Sequence, residues 1–175
     1  MSLDHLWAGW RGEYVASAGS TQATDTHDIA HLSNACIFCR IAASGPPSAE
    51  NGVLWVGTHT FAVLNAYPYA SGHLMVLPIR HVGSLADLTA AEGTEMWSGL
   101  NLGVTALGTA YAPDGMNLGA NLGQAAGAGI PRHLHFHAVP RWLGDTNFMT
   151  SVAGMRVLPE ALPVTWERLH RAWPD

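Results

Sequence analysis

The chain carries little charge. Only 12% of its 175 residues are Asp, Glu, Lys or Arg, and eight of them are basic. Long nucleic acid is held by a basic stripe along the phosphates, and a chain of net charge -5 with eight cations does not supply one. A small nucleotide gripped by backbone amides and imidazoles remains compatible with this balance. No run of 18 apolar residues occurs, so no membrane-spanning helix is expected. Met1 to Val15 contains Asp4, Arg11 and Glu13 but no basic region followed by an apolar run, so it does not read as a secretory leader. Cysteine is scarce as well: Cys36 and Cys39 are the only two, spaced C-x-x-C. In a chain without a leader, such a pair points to metal or redox chemistry rather than a structural disulfide. The expected location is the cytoplasm.

What the chain does have is apolar surface, 48% hydrophobic residues in a length that suits one domain. A single domain over residues 1–175 is expected. Leu3, Leu6, Trp7, Trp10 and Tyr14 share one side of a helical wheel, so residues 1–15 read as an amphipathic helix. Residues 16–35 are small and polar and read as a flexible linker. Residues 36–175 then form the core, closed by a terminal helix from about Pro159 to Trp173.

The chemistry concentrates in Ile130-Pro131-Arg132-His133-Leu134-His135-Phe136-His137-Ala138-Val139-Pro140. Side chains at i, i+2 and i+4 of a strand point to one face. His133, His135 and His137 are therefore expected on one face, with Leu134, Phe136 and Ala138 packed behind. Three readings are open from the residues alone. The row is a His-rich core strand, or a zinc site in itself, or a phosphate-handling site with one imidazole as nucleophile.

Around the row, Leu54–Val56 and Thr60–Asn65 read as a hairpin and His73–Pro78 as a third strand, with His81 just beyond. Asp87 is the expected cap of a helix from about Leu88 to Tyr111, weakened a little by Gly103 and Gly108. Met116 to Asn121 reads as a strand with Asn117 and Asn121 on one face. The glycine-rich stretch 123–129 is neither a P-loop nor a dinucleotide fingerprint, since no Gly-Lys-Ser/Thr follows and the next element is a strand. Its small residues would let backbone amides approach an anion. Cys36-Ile37-Phe38-Cys39 is broken off early by Ser44-Gly45-Pro46-Pro47. That favours a zinc knuckle over a thioredoxin-type motif, which opens a long helix.

The pattern His133-Leu134-His135-Phe136-His137-Ala138-Val139 resembles the histidine triad, or HIT, family. Cys36-Ile37-Phe38-Cys39 resembles the zinc-binding cysteines of its bacterial members. Asn65, Gly72-His73 through His81, Asn121, Pro140-Arg141-Trp142 and the opening Leu6-Trp7-Ala8-Gly9-Trp10-Arg11 are similar to family segments too. The last is like the branch that acts on dinucleoside polyphosphates. The resemblance implies an α+β, HIT-like fold with a five-stranded antiparallel sheet, a long helix and terminal helices, assembled as a homodimer. It implies His135 as nucleophile, His137 at the phosphate, and His73 in support. Asn65 is implied at the ribose and Asn121 at the phosphate. It also implies a Zn2+ held by Cys36, Cys39, His81 and His133. Such a Cys2His2 set leaves no open position and is structural.

Chemistry at the α-phosphate of a dinucleoside polyphosphate such as diadenosine tetraphosphate is the implied activity, by way of a nucleotidyl-histidine. Two alternatives stand beside it: an adenosine phosphoramidase, and a non-catalytic nucleotide-binding interaction module. One departure bears on the acceptor. Many family members carry Gln and then Ser or Thr shortly before the triad, where this chain has Ala128-Gly129-Ile130. Backbone amides of Ala128, Gly129 and Ile130 are the expected replacements, and the freed space suits phosphate as acceptor.

Overall fold

The computed structural model describes residues 36–145 and 160–174. The helix and linker expected over residues 1–35 lie outside the described residues, as do residues 146–159. The elements run α1 (Ile37–Ala42), β1 (Val53–Val56), β2 (Thr60–Leu64), β3 (Leu74–Pro78), α2 (Ala90–Tyr111), β4 (Gly115–Gly119), β5 (Phe136–Arg141) and α3 (Leu162–Ala172). The strands form one antiparallel sheet in the order β1-β2-β3-β5-β4. This is the expected five-stranded α+β architecture. No helix among the described residues is long and apolar enough to cross a membrane.

The alternation of side chains divides the core into two layers. Ala62, Leu64, Leu74, Val76 and Ala138 point to one face and meet Leu100, Ala106, Leu107 and Leu169 of α2 and α3. Phe61, Val63, Met75 and Leu77 point to the other and meet Cys36 and Phe38. β2 and β3 are buried on both faces, which is why they read as continuous apolar runs rather than as alternation. Glycine lets α2 come close. A Cβ on Gly99 would meet Val76 at 3.1 Å, and one on Gly103 would meet Leu74 at 3.1 Å. The expected weakening at Gly103 is thus offset by packing that a larger residue would disturb.

Asp87 does not cap α2. It ends a 3-10 turn, Leu85–Asp87, and Thr89 is the cap. The Thr89 side chain accepts from the Glu92 amide, and the Glu92 carboxylate accepts from the Thr89 amide at 2.8 Å, a reciprocal capping box. Glu92 is also gripped at two atoms by Arg80, whose guanidinium donates to the Asp87 carbonyl as well. The helix starts two residues later than expected because the reciprocal Thr89–Glu92 pair caps its first turn, while Asp87 lies in the preceding 3-10 turn.

Thr89→Ala should lower unfolding free energy by about 1 kcal/mol, read by urea denaturation. Glu92 should answer to acid. The Arg80 guanidinium holds its carboxyl down to about 2, against an ordinary value of 4.5. The folded state thus favours the ionised form. Its stabilising contribution is complete above pH 4.5 and fades as pH falls through about 2. The stability difference between the wild type and Glu92→Gln should narrow across that window.

Candidate active site and metal centre

The sheet face opposite α2 gathers the histidines. His137 in β5 pairs directly with Met75 in β3, and opposed residues of an antiparallel pair share a face. Met75 belongs to the layer beneath α1, so His137 lies there too. His73 precedes Met75 by two residues, and its ring centroid lies 5.1 Å from that of His137. The row itself is only partly strand. β5 begins at Phe136, and His133 sits in a bend before it. The rings nevertheless stay adjacent, with the His135 and His137 centroids 5.0 Å apart. Phe136 and Ala138 pack on the α2 side, as the alternation requires.

Cys36, Cys39, His81 and His133 form one cluster whose ligand atoms all lie within 4.8 Å of one another. They come from the start of α1, the segment after β3 and the approach to β5. Nδ1 of His133 is 3.5 Å from each sulfur, and Nδ1 of His81 is 3.3 Å from the Cys39 sulfur. A tetrahedral Zn2+, with Zn–S about 2.3 Å and Zn–N about 2.0–2.1 Å, sets sulfur and nitrogen about 3.5–3.6 Å apart. The donor set fits that ion and fills all four positions, so the site is closed and structural. Nε2 of His133 lies 2.8 Å from the Pro78 carbonyl and donates to it, which leaves Nδ1 with its lone pair toward the sulfurs.

The electrostatics of the four donors explain why a cation suits them. Burial pushes His133 down to about 4, keeping the ring neutral. Burial also lowers His81, with Arg132 adding to the effect. Burial and then the neighbouring Cys36 push the Cys39 thiol up to about 11. A dication reverses the last shift by stabilising thiolates.

His135 stands outside this cluster. It is buried, and its Nδ1 lies 2.7 Å from the His133 carbonyl. A carbonyl only accepts, so Nδ1 carries the proton and Nε2 carries the lone pair. Burial lowers its pKa, which keeps the ring neutral. Phe38 wedges against both neighbours, with centroids 5.5 Å from His133 and 5.1 Å from His135. Beyond it, His73 Nε2 lies 2.9 Å from His137 Nδ1, and His137 Nε2 is buried without a hydrogen-bond partner. Burial pushes His137 down to about 4, with His135 adding to the effect. A protonated Nδ1 fixed on a carbonyl and a buried Nε2 without a partner therefore sit on adjacent rings.

A family model described as the HIT domain matches residues 49–142, more than half of the chain. The chain belongs to the HIT domain family. A Mycobacterium tuberculosis protein named AP-4-A phosphorylase is 39% identical over 172 residues, covering 98% of this chain and 85% of the relative. A Saccharomyces cerevisiae bis(5'-adenosyl)-triphosphatase is 33% identical over 91 residues, 51% of this chain and 44% of the relative. Among solved structures, a Zn-bound histidine triad family protein from Mycobacterium smegmatis aligns with a TM-score of 0.64 and 26% identity. It covers 80% of this chain and 94% of that one.

The remaining residues expected in this HIT site are placed unevenly. Asn65 is beside His73: its amide nitrogen is 3.4 Å from both ring nitrogens, and its Oδ1 accepts from the Tyr67 amide at 2.9 Å. Asn121 is not in a strand. β4 ends at Gly119, which pairs with His137, and Asn121 follows two residues later. Its expected face-mate Asn117 is engaged by Arg141 at 2.8 Å. Ala128 does not present a free amide, because its N–H donates to the Gly123 carbonyl at 3.3 Å. Gly129 is exposed, whereas Ile130 packs against the α1-side core and accepts from the His133 amide. Phe38 and the Pro78 carbonyl were not picked out by sequence. A phenylalanine inside C-x-x-C and a backbone oxygen carry no motif, and only the fold brings them to the histidines.

Zinc content should be one ion per chain by atomic absorption. Cys36→Ala should lose the ion and lower the Tm together, because binding energy at a closed site is folding energy. A variant that keeps both its Tm and its metal would show that this thiol is not a ligand.

Proposed function

We propose that this HIT protein transfers the nucleotidyl group of dinucleoside polyphosphates, with His135 as nucleophile. Nε2 of His135 attacks the α-phosphorus and the bond to the leaving polyphosphate breaks. The nucleotidyl-imidazole keeps its Nδ1 proton on the His133 carbonyl. An oxygen of phosphate or water then attacks the same phosphorus and the P–N bond breaks. The observation that carries this reading is the 2.7 Å contact from His135 Nδ1 to the His133 carbonyl, which fixes the tautomer a nucleophile needs. His137, through its unpartnered Nε2–H, is the donor to a phosphate oxygen, and His73 holds its other nitrogen.

Asn65 is assigned to the ribose and Asn121 to the phosphate, with the amides of Gly129 and Ile130 as further donors. Ala128 joins them only if its bond to Gly123 is exchanged. The similarity to the tuberculosis AP-4-A phosphorylase favours phosphate as acceptor, in keeping with the small Ala128-Gly129-Ile130 stretch. A single domain, a homodimer and a cytoplasmic setting belong to the same proposal. The Zn2+ clip holds the amino-terminal end of the described chain, at Cys36, to the start of the catalytic strand and takes no part in bond making.

On diadenosine tetraphosphate, added phosphate should accelerate cleavage and yield ADP plus ATP. AMP plus ATP at a phosphate-independent rate would make the enzyme a hydrolase instead. His135→Ala should lower kcat by about 1,000-fold or more while AMP binding survives, measured by product chromatography and calorimetry. Retained turnover would place the nucleophile elsewhere.

A further inference from the structure

We propose that Tyr69 is the positioning residue that sets the direction of the His73–His137 hydrogen-bond chain through its backbone N–H, while its ring lies over the pair. The proposal rests on the reading of His137 as the donor to the reacting phosphate. The Tyr69 amide nitrogen lies 3.0 Å from His73 Nδ1. A backbone amide only donates, so Nδ1 of His73 accepts and the ring's proton sits on Nε2. That Nε2 is 2.9 Å from His137 Nδ1, which must therefore accept in turn. The proton of His137 is left on Nε2, the buried atom without a partner.

One tautomer of each ring satisfies this chain. A doubly protonated ring at either position would set two donors face to face. The amide at the far end cannot give up its proton, so the chain orients His137 as a neutral donor and does not resupply it with protons. The Tyr69 side chain acts on the same pair. Its ring centroid is 4.6 Å from that of His73, inclined by 44°, and 6.0 Å from that of His137, inclined by 28°. Tyr69 is 48% exposed, so its ring stands between the two imidazoles and solvent.

The loop is built to make this contact. Pro68 fixes φ just before Tyr69, and Gly72 adopts φ +86°, a left-handed turn that folds the chain back. His73 donates its amide to the Ala70 carbonyl at 3.1 Å and accepts from the Asn65 amide at 3.0 Å. These bonds return the Tyr69 amide to the ring of a residue four positions on.

Two variants separate the two parts of Tyr69. Tyr69→Ala removes the ring and keeps the N–H; Tyr69→Pro removes both. Histidine tautomers are read by long-range proton–nitrogen NMR on the zinc-loaded protein without nucleotide. His73 and His137 should each carry a single proton on Nε2 in the wild type and in Tyr69→Ala. In Tyr69→Pro the His73 tautomers should mix, and kcat should fall about tenfold or more below that of Tyr69→Ala, with KM within about twofold. A proton on His73 Nδ1 in the wild type, or two variants identical in tautomer and kcat, would overturn the role of Tyr69. If the tautomers are as expected but the wild type cleaves no dinucleoside polyphosphate, the positioning role stands and the proposed activity falls.

Discussion

A buried imidazole has two nitrogens, and each must find a partner or be left waiting for one. That rule organises this protein. His133 spends Nε2 on the Pro78 carbonyl and Nδ1 on the two sulfurs. His135 spends Nδ1 on the carbonyl of His133. His137 spends Nδ1 on His73 and keeps Nε2 unpartnered. The saturated ring is the one at the metal cluster, and the rings with a nitrogen in reserve are those assigned to phosphate. Three histidines in one row thus differ in what they can do because their second nitrogens meet different neighbours.

The metal cluster and the ring proposed as nucleophile are joined at a single residue. The side chain of His133 reaches the cysteines, while its backbone oxygen sets the tautomer of His135. Phe38, between the two cysteines in sequence, packs against both rings. A second brace runs through the start of α2. Arg80 is clamped to Glu92, and His81 projects from the very next position. A closed zinc site that performs no chemistry can therefore still govern the geometry of the ring beside it.

The relatives agree with a site of this kind without fixing its outcome. The HIT domain match and the 39% identity to the tuberculosis protein secure the family, whereas the choice between phosphate and water depends on how an acceptor is seated. In this chain the side chains before the row are small, and one of the three amides there is already used by Gly123. Under the proposed reaction, two amides rather than three are left there to meet an acceptor. The same economy appears at Asn117, whose side chain serves Arg141 rather than the site.

The apolar runs of β2 and β3 and the alternation of His135, Phe136, His137 and Ala138 are local properties, so the strands and the shared face of His135 and His137 were legible in the sequence. So was the C-x-x-C as a metal motif, because a short interrupted helix rules out its longer-helix alternative. The cap was misplaced: Asp87 was the expected one, whereas the T-x-x-E pair of Thr89 and Glu92 forms it, because Asp87 lies in the turn Leu85–Asp87. Other features belonged to the tertiary structure alone. The Tyr69 amide, the Pro78 carbonyl and the His133 carbonyl are backbone groups, alike at every position, and no pattern of side chains announces them. Proton placement on each ring follows from these groups, since a nitrogen's role is decided by whatever donor or acceptor the folded chain sets opposite it.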